Sequence, residues 1–141
     1  MIAKPDARRK FIRIQFARHV NLEFISDSYD HCLIKNLSLA GMFIIGNFQQ
    51  QVGTYCLVNL IQKGISTDLS LRASAKVVRK DDEGVAIEFT SMPFESYLIL
   101  QITLLSENEN NLIIEKLLPD DCPFEVTDQL PAPRETNNSF I

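Results

Sequence analysis

The architecture of this chain can be read from residues 69–89, LSLRASAKVVRKDDEGVAIEF. Apolar side chains occupy every second position in each half of this stretch. A period of two is typical of strands that bury one face. The polar run that ends at Gly84 separates the two halves and predicts a tight turn, because glycine can adopt positive φ. We therefore predict a β-hairpin with strands at Leu69–Arg79 and Val85–Thr90.

The same alternation extends towards the N-terminus. In residues 12–24 most apolar side chains share one parity. Arg18 falls on that apolar parity, so we expect a bulge near this residue that turns its side chain outward. Similar runs predict strands at about Asp30–Leu37, Met42–Ile45 and Thr54–Gln62. Six short strands linked by turns favour an all-β fold, a closed six-stranded antiparallel barrel, since closure removes the exposed edges of an open sheet.

The pattern changes after residue 93. Apolar residues at helical spacing predict one helix at Tyr97–Leu105 and indicate a second, amphipathic helix at about Glu109–Leu118. Four prolines after residue 118 predict an extended or disordered tail. The expected organisation is a flexible basic arm at 1–10, a β-barrel with its following helix at 11–106, and a second helix with an acidic, proline-rich tail at 107–141.

The net charge of −4 on the 141 residues is unevenly distributed. Six of the seven charged residues in 1–20 are basic, whereas eight of the ten in 107–141 are acidic. One basic arm on an acidic chain does not favour binding of bulk nucleic acid, which requires positive charge over a face. It favours binding of a small anion.

Composition also restricts the cellular setting. No apolar run approaches the roughly 20 residues of a membrane helix, and the first residues lack the apolar region of a signal peptide. We therefore expect a cytoplasmic protein without membrane contact. The three cysteines are too few and too scattered for a disulfide framework or a zinc site.

The first candidate motif is the basic run RRKFIR at residues 8–13. Arg9 and Arg13 lie four positions apart, with an aromatic residue between them. The planar guanidinium group pairs bidentately with phosphate or with the edge of guanine, and it stacks on flat rings. Taken alone, the run is also explained as a solvated tail.

The second candidate motif is NLSLAG at residues 36–41, between two predicted strands. In an extended chain Asn36 and Ser38 lie on one face. Gly41 suits a position with positive φ or one where the backbone must approach a ligand closely. Taken alone, the motif is also explained as a turn in which a short polar side chain hydrogen-bonds the backbone.

Together the two motifs resemble the PilZ domain family. That family carries R-x-x-x-R before the first strand and D/N-x-S-x-x-G after the second, met here by Arg9 and Arg13 and then by Asn36, Ser38 and Gly41. The run GVAIEF at 84–89 resembles the closing strand of the family. The resemblance covers about residues 7–106, and the segment beyond it is not accounted for.

The resemblance implies a six-stranded barrel that binds the bacterial second messenger cyclic di-GMP. It implies that Arg9 and Arg13 contact guanine edges and phosphates while the arm folds over the ligand. Asn36 and Ser38 would contact a guanine and the ribose–phosphate ring, and Gly41 would permit the turn. Arg8 resembles the extra arginine of members that bind a stacked dimer of the nucleotide.

Two departures from the family pattern affect the expected site. Asn36 replaces the more common aspartate, which removes a negative charge near the phosphates. The chain has no tryptophan to stack on the exposed face of the nucleotide. Arg79, late in the fifth predicted strand, is a candidate to cover that face instead.

No pattern in the sequence supports catalysis or a metal site. The chain lacks a nucleophile-elbow pattern and a phosphate-binding glycine loop. We therefore expect a receptor without a cofactor, whose surface changes when it binds cyclic di-GMP and which signals to a separate protein effector. Two alternatives remain open: a ligand-independent PilZ adaptor of pilus or motility machinery, and a small barrel that binds single-stranded nucleic acid.

Overall fold

Eight strands and one helix form the computed structural model, which describes residues 11–62, 69–107, 118 and 121–128. In chain order the elements are β1 (Ile14–Gln15), β2 (His19–Glu23), β3 (Ser28–Leu37), β4 (Gly41–Ile45), β5 (Tyr55–Gln62), β6 (Leu69–Lys80), β7 (Gly84–Pro93), α1 (Phe94–Ser106) and β8 (Glu125–Thr127). Each predicted strand is present, and most of their ends shift by only one to three residues.

Six strands close into an antiparallel barrel. Neighbouring strands pair in the order β2-β5-β6-β7-β4-β3, and β3 pairs again with β2. The apolar parity of each strand faces inward, and one continuous core fills the barrel, with its fully buried members including Phe16, Leu22, Ile44, Leu60 and Phe89. The predicted fold class is confirmed.

The bend predicted at Arg18 is also confirmed. The first predicted strand is divided into β1 and β2, and both pair with β3. Between them the N–H of Ile34 donates to the carbonyl of Arg18 at 2.8 Å, so the chain stays attached while it turns. The guanidinium of Arg18 points outward and forms an ion pair with Glu107 at 3.1 Å. Burial of a charge in the apolar core is thereby avoided.

A glycine at each end permits the pairing of β4 with β7, which we call the glycine seam. Gly41 lies opposite Glu88 and Gly84 lies opposite Ile45. A Cβ added to Gly41 would lie 2.0 Å from the carbonyl oxygen of Ile87, and one added to Gly84 would lie 2.0 Å from that of Ile44. The two backbones therefore approach more closely than any other residue type allows.

The helix α1 begins three residues before its predicted start. Its buried face comprises Ser96, Leu100, Thr103 and Leu104. The hydroxyl of Ser96 accepts the backbone N–H of Arg72 at 2.9 Å and so attaches the helix to β6. The second predicted helix lies outside the described residues except for Leu118, which packs against the core. Within the described residues, no helix has the length and apolar character needed to cross a membrane.

Part of the predicted tail is paired with the barrel. The strand β8 runs parallel to the end of β7, with Glu125 opposite Ser91. Phe124, directly before β8, is buried against Phe89 and Tyr97, with ring centroids 5.9 and 5.6 Å away. A single aromatic residue among polar residues and prolines has no periodicity, so the sequence alone did not predict this docking.

The glycine seam gives a first prediction. Gly41→Ala should lower the free energy of unfolding by about 1–3 kcal/mol, because the new methyl group must push β4 away from β7. Urea denaturation measures this loss. Gln49→Ala in the exposed β4–β5 loop is the control and should change stability by less than about 0.5 kcal/mol. Equal stability of Gly41→Ala and the wild type would contradict the close approach.

The docking of β8 gives a second prediction. Phe124→Ala should lower the free energy of unfolding by about 2–4 kcal/mol, because a buried aromatic ring is lost. The matched control is Val126→Ala in the same segment, whose side chain is 37% exposed and whose loss should cost less than about 1 kcal/mol. Equal effects of the two substitutions would show that the segment contributes no packing energy.

Candidate functional site

Four residues on the outer surface of the barrel form a row across the glycine seam. Asn36 on β3 lies opposite Phe43 on β4, Phe43 opposite Ala86 on β7, and Ala86 opposite Arg79 on β6. Adjacent strands lie about 4.8 Å apart, so the row spans about 14 Å.

Bulges turn the side chains of the two end residues of this row towards the outer face of the barrel. Ile34 and Asn36 pair with consecutive residues of β4, so Lys35 is an extra residue. On β6, Val77 and Arg79 likewise pair with consecutive residues of β7. Without a bulge, Asn36 and Arg79 would have the parity of buried neighbours and would face the core. Each bulge reverses that parity and turns the polar side chain outward.

Three residues of this row, Asn36, Phe43 and Arg79, line a cleft of about 260 Å³. Its lining residues are Arg13, Lys35, Asn36, Phe43, Arg79, Asp81 and Glu83. Arg13 comes from the residue before β1 and shares the outward parity of Gln15, which pairs with Asn36. The cleft therefore brings together one residue from each of the two sequence motifs, as well as the candidate Arg79.

Two cations lie over an aromatic ring in this cleft. The Lys35 ammonium is 5.9 Å and the Arg79 guanidinium 5.4 Å from the centroid of Phe43. Phe43 is only 4% exposed although its strand parity points outward. Its ring thus serves as an apolar floor that holds two positive groups at the surface through cation–π contact.

The β6–β7 turn supplies two carboxylates to the same cleft. The Nζ of Lys35 lies 2.9 Å from both carboxylate oxygens of Glu83. Arg79 Nη1 donates to Asp81 Oδ2 at 2.8 Å. The other oxygen of Asp81 accepts the backbone N–H groups of Glu83 at 2.9 Å and Gly84 at 3.1 Å. These backbone hydrogen bonds lower the pKa of Asp81, and the neighbouring Arg79 lowers it further by a smaller amount. The turn therefore carries a carboxylate at neutral pH.

Ser38 lies in the β3–β4 turn, and its expected contact with a ligand stays a prediction. Its hydroxyl accepts the N–H groups of Ala40 at 3.2 Å and Gly41 at 3.3 Å, and it donates to the carbonyl of Gly41 at 3.4 Å. A hydroxyl has one proton and two lone pairs, so its capacity is used within the turn. Ser38 is 6% exposed and does not line the cleft. It fixes the β3–β4 turn and thereby the strand ends that carry Asn36 and Phe43.

Gly41 also acts on the scaffold. A Cβ at this position would collide with the carbonyl of Ile87 in the glycine seam, so the pairing of β4 with β7 requires the glycine. It therefore supports the two strands that form the floor of the cleft. Arg8 and Arg9 lie outside the described residues, and their expected contacts stay predictions.

Lys35, Phe43, Asp81 and Glu83 were not predicted as site residues. The signal for Lys35 was present in the sequence: Asn36 has the parity of the buried Ile34, and a polar residue on an apolar parity indicates a bulge, as it did for Arg18. Glu83 lies 48 positions from Lys35, and no local pattern joins them.

Other reactive groups in the described part of the chain do not form a second centre. No three His, Cys, Asp or Glu side chains there lie together where they could hold a metal ion. Burial raises the pKa of the Cys56 thiol to about 12, so it stays protonated and unreactive at neutral pH. The rings of His19 and His31 meet edge to face, with centroids 6.2 Å apart, on an exposed surface.

A comparison with known protein families matches residues 7–106 to the PilZ domain. No curated protein matches the chain at a significant level. Among solved structures, the fold is similar to the crystal structure of the PilZ domain of CeSA from a cellulose-synthesizing bacterium. The TM-score is 0.56, with 13% sequence identity over 67% of this chain and 96% of that one. At this identity the structural likeness shows the fold, while the family match extends over most of the chain. The chain therefore belongs to the PilZ domain family, a cyclic di-GMP receptor family of non-enzymatic binding and adaptor domains.

Proposed function

We propose that this protein binds cyclic di-GMP in the cleft beside the glycine seam. The observation that carries the proposal is the convergence of Arg13 and Asn36. These residues belong to two separate motifs, 23 positions apart, and they line one cleft together with Lys35 and Arg79. Among the described residues that line the cleft there are three cations and two carboxylates. This positive balance suits the phosphates of a cyclic dinucleotide.

The side chains in the cleft match the chemistry of this ligand. Arginine can pair with phosphate or with the O6 and N7 atoms of guanine, and the Asn36 amide can both donate and accept. The guanidinium of Arg79 can stack on a purine ring, the role that the missing tryptophan would otherwise take. Ser38 and Gly41 support these residues from the turn and the seam.

A second hollow adjoins the cleft and increases the contact area. It measures about 350 Å³, shares Lys35 and Asn36 with the cleft, and is lined mainly by Phe16, Ile34 and other apolar residues. The apolar hollow suits the flat base of a nucleotide, and the cations of the cleft suit its phosphate. We propose that the ligand lies across both depressions, as one molecule or as a stacked dimer.

The basic arm completes the proposed site. Arg13 is the last residue before β1, and Arg8 and Arg9 precede it in the chain by only five and four positions. We propose that residues 1–10 fold over the bound nucleotide with these two arginines on its guanine edges or phosphates. Ordering of a charged arm around an anion changes the surface that a partner can read.

The output is proposed to be a contact with a protein effector in trans. The helix α1 offers one surface for such a contact, because its outer face carries four exposed apolar side chains at helical spacing, Phe94, Leu98, Ile102 and Leu105. The ion pair of Arg18 with Glu107 joins the end of this helix to the bend that follows β1. Motility, biofilm, exopolysaccharide and virulence control are the processes in which such a cytoplasmic receptor would act.

The proposed site gives a third prediction. Arg13→Ala should weaken binding of cyclic di-GMP about tenfold to a hundredfold, because one charge-assisted arginine contact is lost. Isothermal titration calorimetry measures this change. Arg72→Ala is the matched control, since it removes an exposed arginine that does not line the cleft, and it should bind like the wild type.

The same titration separates the alternative functions. Heat from cyclic di-GMP but not from GTP or a single-stranded oligonucleotide supports the proposal. Binding of the oligonucleotide alone would favour the nucleic-acid barrel. A wild-type protein that gives no heat with any of the three would favour the ligand-independent adaptor.

The contrast between Ser38 and Asn36 gives a fourth prediction. Ser38→Ala should lower the free energy of unfolding by about 1–3 kcal/mol, because two backbone N–H groups lose their acceptor. Asn36→Ala should leave the melting temperature nearly unchanged and weaken cyclic di-GMP binding about twofold to tenfold, since only a ligand contact is lost. Thermal melts and titrations of both variants test this. The reverse pattern would place Ser38, and not Asn36, on the ligand.

A further inference from the structure

Two of the three cations in the cleft are paired with carboxylates of a single turn. The β6–β7 turn directs Glu83 to Lys35 and Asp81 to Arg79, at 2.9 and 2.8 Å. The phosphates of a cyclic dinucleotide would seek the same two cations. Any anion that enters the cleft therefore meets groups already engaged by a negative charge.

The two carboxylates differ in what else they hold. Asp81 accepts two backbone N–H groups and so maintains the shape of the turn. The Glu83 side chain contacts only Lys35 among the described residues, and no backbone group of the turn depends on it. Glu83 can therefore leave its partner without a change in the turn, whereas Asp81 cannot.

The Lys35–Glu83 pair is well placed for exchange. The two side chains are 49% and 48% exposed, so water screens the attraction and the pair is weak. The Lys35 ammonium group donates to both carboxylate oxygens of Glu83, so Glu83 occupies donors that a phosphate would need. Lys35 also stays over the Phe43 ring at 5.9 Å, so it keeps its place when the carboxylate departs.

We propose that Glu83 is a built-in competitor of the phosphate for Lys35 and so determines the affinity of the cleft for cyclic di-GMP. This inference rests on the proposed function. The carboxylate opposes the ligand in two ways: it occupies Lys35, and it repels the incoming phosphate across a few ångströms. Its removal should strengthen binding rather than weaken it, the opposite of what a ligand-contacting residue would show.

The test is the substitution Glu83→Gln, which removes the charge while retaining the shape and the hydrogen-bonding capacity of the side chain. It should tighten cyclic di-GMP binding about threefold to fivefold at low salt, the range of an exposed ion pair, and by less at high salt. Asp82→Asn is the matched control. It removes a neighbouring charge from the same turn, and Asp82 does not line the cleft.

Three outcomes of the calorimetric titration bear on Glu83. Tighter binding by Glu83→Gln alone supports the competition. Unchanged or weaker binding overturns it, and so does an equal gain in Asp82→Asn, because the effect would then come from net charge and not from Lys35.

A parallel titration with pyrophosphate separates this inference from the proposed function. The Lys35 amide signal in a nitrogen–proton correlation spectrum reports occupancy of the cleft by the anion. If Glu83→Gln binds pyrophosphate more tightly than the wild type does, the competition is supported, whether or not cyclic di-GMP binds. Failure of cyclic di-GMP to bind would refute only the proposed function. Equal affinity, or no shift in either protein, overturns the role of Glu83.

Discussion

The contact between the backbones of β4 and β7 is the constraint on which the rest of this molecule depends. A side chain at either end of that pairing would collide with a carbonyl oxygen of the other strand. With hydrogen at both places, the two strands join and the sheet closes on itself. Closure leaves no open edge in the barrel wall and encloses a single core. It also brings β3 and β6, which flank the seam, to within about 14 Å of each other.

The cleft follows from this closure. Its floor includes Phe43 of β4, whose ring supports two cations. Its walls come from a residue before β1, from β3 and β6, and from the β6–β7 turn. The Ser38 hydroxyl and the Asp81 carboxylate do equivalent work at two separate turns, since each accepts two backbone N–H groups. The side chains that hold these turns are thus distinct from the neighbouring side chains that line the cleft.

The sequence predicted the barrel because each strand has a period of two that a short turn interrupts. It also identified Arg13, Asn36 and Arg79, three of the residues in the cleft. It did not predict which way Asn36 and Arg79 point, because both have the parity of buried neighbours until a bulge is taken into account. The rule that located the bend at Arg18 applies to them as well: a polar side chain in an apolar register indicates an extra residue nearby. The Lys35–Glu83 pair and the docking of Phe124 depend on distant parts of the chain, and no local period encodes them.

The bulge at Lys35 makes chain length, and not only residue type, a determinant of this surface. A bulge accommodates one extra residue while the hydrogen-bonded ladder continues on either side. If that residue were deleted, Ile34 and Asn36 would become consecutive residues that pair with Ile44 and Phe43 in a regular ladder. Asn36 would still face outward, but the ammonium group over the Phe43 ring would be lost. A single-codon deletion at this position would therefore remove one cation from the cleft and leave the pairing of the barrel wall intact.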